Sequence, residues 1–235
     1  IDYDKTVVYP FCHGLSYTTF EQTLNSVAES NGVVTVDVTV TNKGNTAGKD
    51  VVEVYYNPPY TNGGIEKASA NLIDFAKTDI LEPGASENVQ ITFNTEDMAS
   101  YDAHGKGCYV LEAGDYVISI NSDSHTVIDS KTINVGSEVV YDANNARSTD
   151  AVAATNEFAD AEGNVTYLSR ADGFANYAEA TAAPASMTMP AEYKETFYNN
   201  SNWDPADFNN ADDVAPTTGA KNGLQLVDMV GVDYD

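Results

Sequence analysis

Valines at positions 34, 36, 38 and 40 alternate with Thr35, Asp37, Thr39 and Thr41. A period of two sends successive side chains to opposite faces of a strand. Val33–Asn42 is therefore predicted as a strand whose valine face meets a core. Asn42-Lys43-Gly44-Asn45 is the turn that ends it, with Gly44 supplying a positive φ. The same reading gives strands over Thr19–Ala28, Val51–Tyr56, Asn71–Lys77 and Glu87–Phe93, the last with Val89, Ile91 and Phe93 inward. Pro58-Pro59 stops the third of these by removing backbone donors. Tyr109–Glu112 and Tyr116–Ser122 are predicted as a hairpin around Ala113-Gly114-Asp115, and Ser124–Val135 closes the set. Short strands separated by turn signals in this number favour an all-β, two-sheet sandwich.

The pattern changes after Gly136, where β-branched runs vanish and Ala, Asn and Asp accumulate. Residues 1–136 are expected to be the sandwich and 137–235 an irregular extension with short helices. Ser148-Thr149-Asp150 is read as the cap of a helix running to Glu162, with Gly163 as its stop. Val165–Leu168 reads as a short extended piece, Phe174–Ala182 as helical, and Pro190–Tyr198 as a helix entered through its proline. Asn199–Gly223 is loop-like, ahead of the apolar Leu224–Met229. Aromatic residues recurring from Phe158 to Phe208 argue against disorder. They imply a strap lying along the sandwich or along another domain.

The chain has 235 residues and is 42% hydrophobic, enough to bury a core. Its net charge of −25 is repelled by phosphate backbones and anionic lipid, which removes nucleic acid and membrane surfaces as partners. Neutral carbohydrate is not opposed by that field. Cys12 and Cys108, far apart in sequence, are read as two buried free thiols. There is no initiator Met and no apolar run of about 18 residues, and the chain starts and stops in mid-pattern, as a piece of something longer would.

Tyr9-Pro10-Phe11-Cys12-His13-Gly14-Leu15-Ser16-Tyr17-Thr18, Val52–Tyr60, Ile65-Glu66-Lys67, Asn71–Thr78, Leu81-Glu82-Pro83-Gly84, Met98–Asp102 and Glu112–Ile120 follow one another along the first part of the chain. Together they resemble the fibronectin type III-like (immunoglobulin-like) domain of glycoside hydrolase family 3, where the first string usually reads Pro-Phe-Gly-Tyr-Gly-Leu-Ser-Tyr-Thr. Cys12 and His13 depart from it. Val165-Thr166-Tyr167-Leu168-Ser169-Arg170-Ala171-Asp172 is similar to the segment after that domain in circularly permuted members. The resemblance implies an accessory part of a β-glucosidase-type enzyme, between an α/β domain and a barrel domain of the same chain.

Glycoside hydrolysis needs two carboxyl groups held about 5 to 9.5 Å apart, and with 36 acids present candidate pairs discriminate nothing. What the family uses is a motif, an Asp within Ser-Asp-Trp in its barrel domain. Ser122-Asp123-Ser124 lacks the Trp, so no catalytic residue is assigned. His13, His104 and His125 show no ligand spacing, and Asp204–Asp213 lacks a calcium-loop alternation, so neither metal nor cofactor is expected. Two residues stand out as sugar or interdomain contacts. Trp203, the only tryptophan, could stack on a pyranose, though anchoring the strap is the preferred reading. Tyr60 sits in the long loop Asn57–Ala70, read first as a docking surface. Asn164 and Asn199 head glycosylation sequons, and a cytoplasmic bacterial location is favoured over secretion. The leading reading is a non-catalytic scaffold segment. The alternatives are a stand-alone carbohydrate-binding module or an extracellular adhesion module.

Overall fold

The computed structural model describes residues 3–159, 163, 165–189 and 191–198. Within these described residues, ten strands form three antiparallel sheets. The first joins β1 (Phe20–Ser30), β2 (Val33–Asn42) and β5 (Ser86–Asn94) in the order β1-β2-β5. The second orders β4 (Asn71–Lys77), β3 (Val51–Asn57), β8 (Gly114–Asn121) and β9 (Val127–Val135) as β4-β3-β8-β9. A small third sheet has β7 (Tyr109–Leu111) between β6 (Ser100–Tyr101) and β10 (Val139–Tyr141).

One core unites the first two sheets, as a β-sandwich requires. Val34, Val36, Val38 and Val40 are fully buried and meet Val52, Val54, Ile118 and Ile120 of the facing sheet. Val89, Ile91 and Phe93 are buried too, as their alternation predicts. Each such side chain contributes roughly 1.5–3 kcal/mol on leaving water. β1 and β2 pair Ser30 with Val33, leaving Asn31-Gly32 as a two-residue loop. Both residues have positive φ, the primed turn that matches strand twist.

Three local expectations are corrected. Tyr109–Leu111 does not hairpin with Gly114–Asn121, because β6 and β10 occupy both edges of β7 while β8 pairs with β3 and β9. Residues 150–159 hold no α-helix. Their intended caps are spent elsewhere: the Ser148 amide donates to Glu96 at 3.0 Å, its hydroxyl bonds the same carboxylate, and Asp150 pairs with Arg147. Gly44 is not at positive φ. A Cβ there would run into the Thr18 hydroxyl and lie 2.8 Å from the Thr19 nitrogen, so close approach is what demands glycine.

Short helices complete the described part: α1 (Tyr3–Thr6), α2 (Tyr177–Ala180) and α3 (Ala191–Tyr198). α2 is a fraction of the helix predicted over Phe174–Ala182, preceded by a 3-10 turn at Ala171–Gly173. The chain divides into two compact units, Ile1–Ala182 and Ala183–Asp235, so residues 137–182 belong with the sandwich. Pro190, Trp203, the Asp204–Asp213 run, both sequon asparagines and Leu224–Met229 lie outside the described residues.

Candidate interdomain interface

Alternation on β3 turns Val52 and Val54 to the core and Glu53 and Tyr55 to the opposite face, yet all four are buried. The cover over the outer pair is the N-terminal segment. Ser124 donates its amide to the Phe11 carbonyl at 3.0 Å, Tyr3 stacks on His125 with ring centroids 3.7 Å apart, and the Cys12 thiol lies beside Tyr55 and Glu53. At its far end the Thr18 hydroxyl donates to the Asn42 side chain at 2.7 Å.

Pinned at both ends, this segment points its apolar side chains outward. Leu15 is 96% and Tyr17 100% exposed, and Val8, Tyr9 and Phe11 are mostly exposed as well. Phe75 on β4 is also exposed and lies in register with Glu53, on the same outer face. Concentrated apolar exposure of this kind marks an interaction surface.

Cys12 has φ +67°, a region that favours glycine. That accounts physically for the glycine expected at this position from the resemblance. In exchange the thiol gains the Tyr55–Glu53 contact. Burial pushes the thiol above its ordinary value, Tyr55 opposes this, and the Glu53 carboxyl adds to it, which favours the neutral thiol. Glu53 is itself pushed up by burial, which its bonds from Cys12 and Tyr55 only partly offset. Cys108 is buried as predicted, whereas Cys12 is half-buried and both are free.

On another face, the loop after β3 grips residues 165–173. Glu66 accepts bonds from the Ser169 hydroxyl at 2.6 Å, the Arg170 amide at 3.0 Å and the Tyr60 hydroxyl at 3.2 Å. The Arg170 guanidinium lies 4.1 Å over the Tyr60 ring and donates to the Lys67 carbonyl at 3.2 Å. Asn62 donates to Asp172 at 2.7 Å. Tyr60 is thus in contact with the strap. Lys67 is buried beneath the loop, paired with Glu112 and donating to the Pro59 carbonyl at 2.8 Å. No pairing signal in the sequence links Glu66 to Arg170.

Burial alone would raise the Glu66 carboxyl, but the bonds from Arg170, Ser169 and Tyr60 and the Arg170 charge outweigh it and hold it below its ordinary range. A carboxyl lowered by folding contributes fully above its unfolded value, and the contribution is lost as pH falls through the folded one. Following the Arg170 amide proton by NMR from pH 7 to pH 3 should give a midpoint below the unfolded value of about 4.3. Glu66→Gln should abolish the transition. A midpoint at or above that value would contradict the clamp.

The remaining candidates are dispersed. Asp123 accepts the His125 and Thr126 amides in the turn before β9, a structural role. His13 lies 5.0 Å from the Tyr9 ring. Among the described residues no three His, Cys, Asp or Glu converge on one point.

A model of the fibronectin type III-like domain matches residues 50–124. The solved β-glucosidase 3B of Thermotoga neapolitana, in complex with α-D-glucose, superposes on 57% of this chain with a TM-score of 0.53 and 35% identity. The sandwich is a fibronectin type III-like domain of the kind carried by family 3 β-glucosidases. The β-glucosidase of Kluyveromyces marxianus in complex with glucose gives a TM-score of 0.55 at 30% identity over 59% of this chain. β-Glucosidase A of Butyrivibrio fibrisolvens is 41% identical over a 130-residue alignment that covers 48% of this chain. The fibronectin type III-like domain and its flanks span only 15% of that relative, and 18% and 17% of the two solved chains.

Proposed function

We propose that this polypeptide is a non-catalytic accessory segment of a family 3 glycoside hydrolase of β-glucosidase type. Its outer sheet face would bury apolar surface of adjoining domains of the same chain and fix their relative position. The observation that supports this most is the N-terminal stretch, tethered by backbone and side-chain bonds while Leu15 and Tyr17 stand almost wholly in solvent. A single chain gains nothing by holding such side chains outward, whereas a docked domain removes them from water. The clamp on Ser169–Arg170 would then set the direction in which the strap leaves towards a barrel domain, the permuted arrangement.

In the full-length protein, Leu15→Ser with Tyr17→Ser should uncouple the domains. Calorimetry should show a separate, lower-melting sandwich transition, with hydrolysis of an aryl β-glucoside reduced but not abolished. The 235-residue chain alone should show no hydrolysis. Turnover by the pure chain, lost on changing one Asp or Glu, would sink the proposal, as would wild-type coupling in the double variant.

A further inference from the structure

A cleft of about 900 Å³ opens between the loop after β3, the turn joining β6 to β7, and residues 154–158 and 165–168. It lies apart from the N-terminal docking face and is built within one compact unit. Four aromatic side chains line it: Tyr101, Tyr109, Phe158 and Tyr167. Two of them are held rigidly. Tyr109 has the Arg147 guanidinium 3.8 Å from its ring centroid and Tyr101 edge-on at 5.5 Å, and the Tyr101 hydroxyl donates to the Gly107 carbonyl at 3.0 Å. Phe158 and Tyr167 instead stand in solvent, at 77% and 56% exposure.

We infer that this cleft is a non-catalytic binding site for a neutral oligosaccharide. Aromatic faces left in water are suited to the apolar C–H face of a pyranose, which an anchored pair at the back and two exposed rings at the mouth can bracket. His104 and Asn156 stand among the rings. Among the described residues the His104 imidazole, the Tyr167 hydroxyl and the Asn156 side-chain amide nitrogen have no hydrogen-bond partner, which leaves polar groups for ring hydroxyls. Glu66 and Asp102 at the wall add negative charge, in a chain of net charge −25, so an anionic ligand is disfavoured and an uncharged one is not. The volume falls within the range of about 300–1,000 Å³ usual for small-molecule sites. Preorganisation by the Arg147–Tyr109–Tyr101 stack reduces the ordering cost of binding. The two carboxylates at the wall are already engaged: both Asp102 oxygens accept the amides of Gly105 and Lys106, and Glu66 is held by the strap.

The test is a titration of the 235-residue chain with cellotetraose, followed by ¹H–¹⁵N NMR. Shifts are expected at residues 64–66, 101–104, 154–158 and 165–168, with a Kd of about 1 mM. Tyr167→Ala and Phe158→Ala alter exposed side chains and should each weaken binding roughly tenfold, while Tyr167→Phe keeps the ring and should lose no more than about threefold. Shifts confined to other surfaces, affinity indifferent to both alanine variants, or silence towards cellotetraose, xylotetraose and chitotetraose alike would overturn the assignment. So would hydrogen-exchange protection of this cleft by another domain in the full-length protein. None of these outcomes bears on the N-terminal face, so the docking proposal stands or falls separately.

Discussion

Asn42→Ala should cost the sandwich roughly 2–4 kcal/mol, because it removes four hydrogen bonds at once and takes the last partner from two of the groups. The Asn42 side chain is fully buried at the end of β2 and uses all of its bonding capacity. Its oxygen accepts the Thr18 hydroxyl at 2.7 Å and the Gly44 amide at 3.0 Å. Its nitrogen donates to the carbonyls of Thr46 and Leu81, both at 2.8 Å. One side chain therefore ties the covering segment, the turn after β2 and the chain entering β5. Alanine leaves the Thr46 carbonyl and the Thr18 hydroxyl without their partner, while the Leu81 carbonyl keeps the Gly48 amide and the Gly44 amide keeps the Thr19 carbonyl, each at 3.2 Å. Asn42→Asp should be nearly as damaging, since it keeps the acceptor but aims an oxygen at two carbonyls. Chemical denaturation of the three proteins checks this, and a loss under about 1 kcal/mol for alanine would show that the turn re-forms its bonds elsewhere.

Lys67→Met is expected to lower stability by about 2–4 kcal/mol although it puts an apolar side chain of similar size in a buried site. The ammonium is buried, while its partner Glu112 is more accessible, with about a third of its side chain exposed at 29%. Methionine keeps most of the packing but leaves a carboxylate without its counter-charge and the Pro59 carbonyl without its donor. Pairing the change with Glu112→Gln should restore a substantial part of the loss. Thermal melts of the single and double variants form the test, and equal losses in both would mean that packing, not the ion pair, sets the value of Lys67. The loop above would also loosen, since Lys67 anchors the stretch that carries Tyr60 and Glu66.

Much of the sandwich could be read from the chain because strand geometry is local. The valine face of β2 and the inward set of β5 follow from alternation, and both are buried. Alternation does not say which strands meet. The expected hairpin at Ala113-Gly114-Asp115 failed for that reason: the edges of β7 were already taken by β6 and by β10, a strand lying past the point where the β pattern fades. The helix expected after Ser148 failed because a cap is a competition, won here by Glu96 from 52 residues away.

The candidate site divides in the same way. The strings containing Glu66 and Arg170 are visible in the sequence as resemblances, but their mutual bonding, across 104 residues, is not. Cys12 was visible as a departure from glycine, and only the backbone at φ +67° says why glycine belongs there. The composition and the alternation by themselves determined an acidic, valine-cored β-sandwich, because burial and net charge are sums over residues. Only the tertiary structure decided that Glu53 and Tyr55 lie under a cover, that Leu15 and Tyr17 face outward, and that four aromatics share a cleft. Those depend on where distant segments come to rest, a property of chain paths in space that no local period encodes.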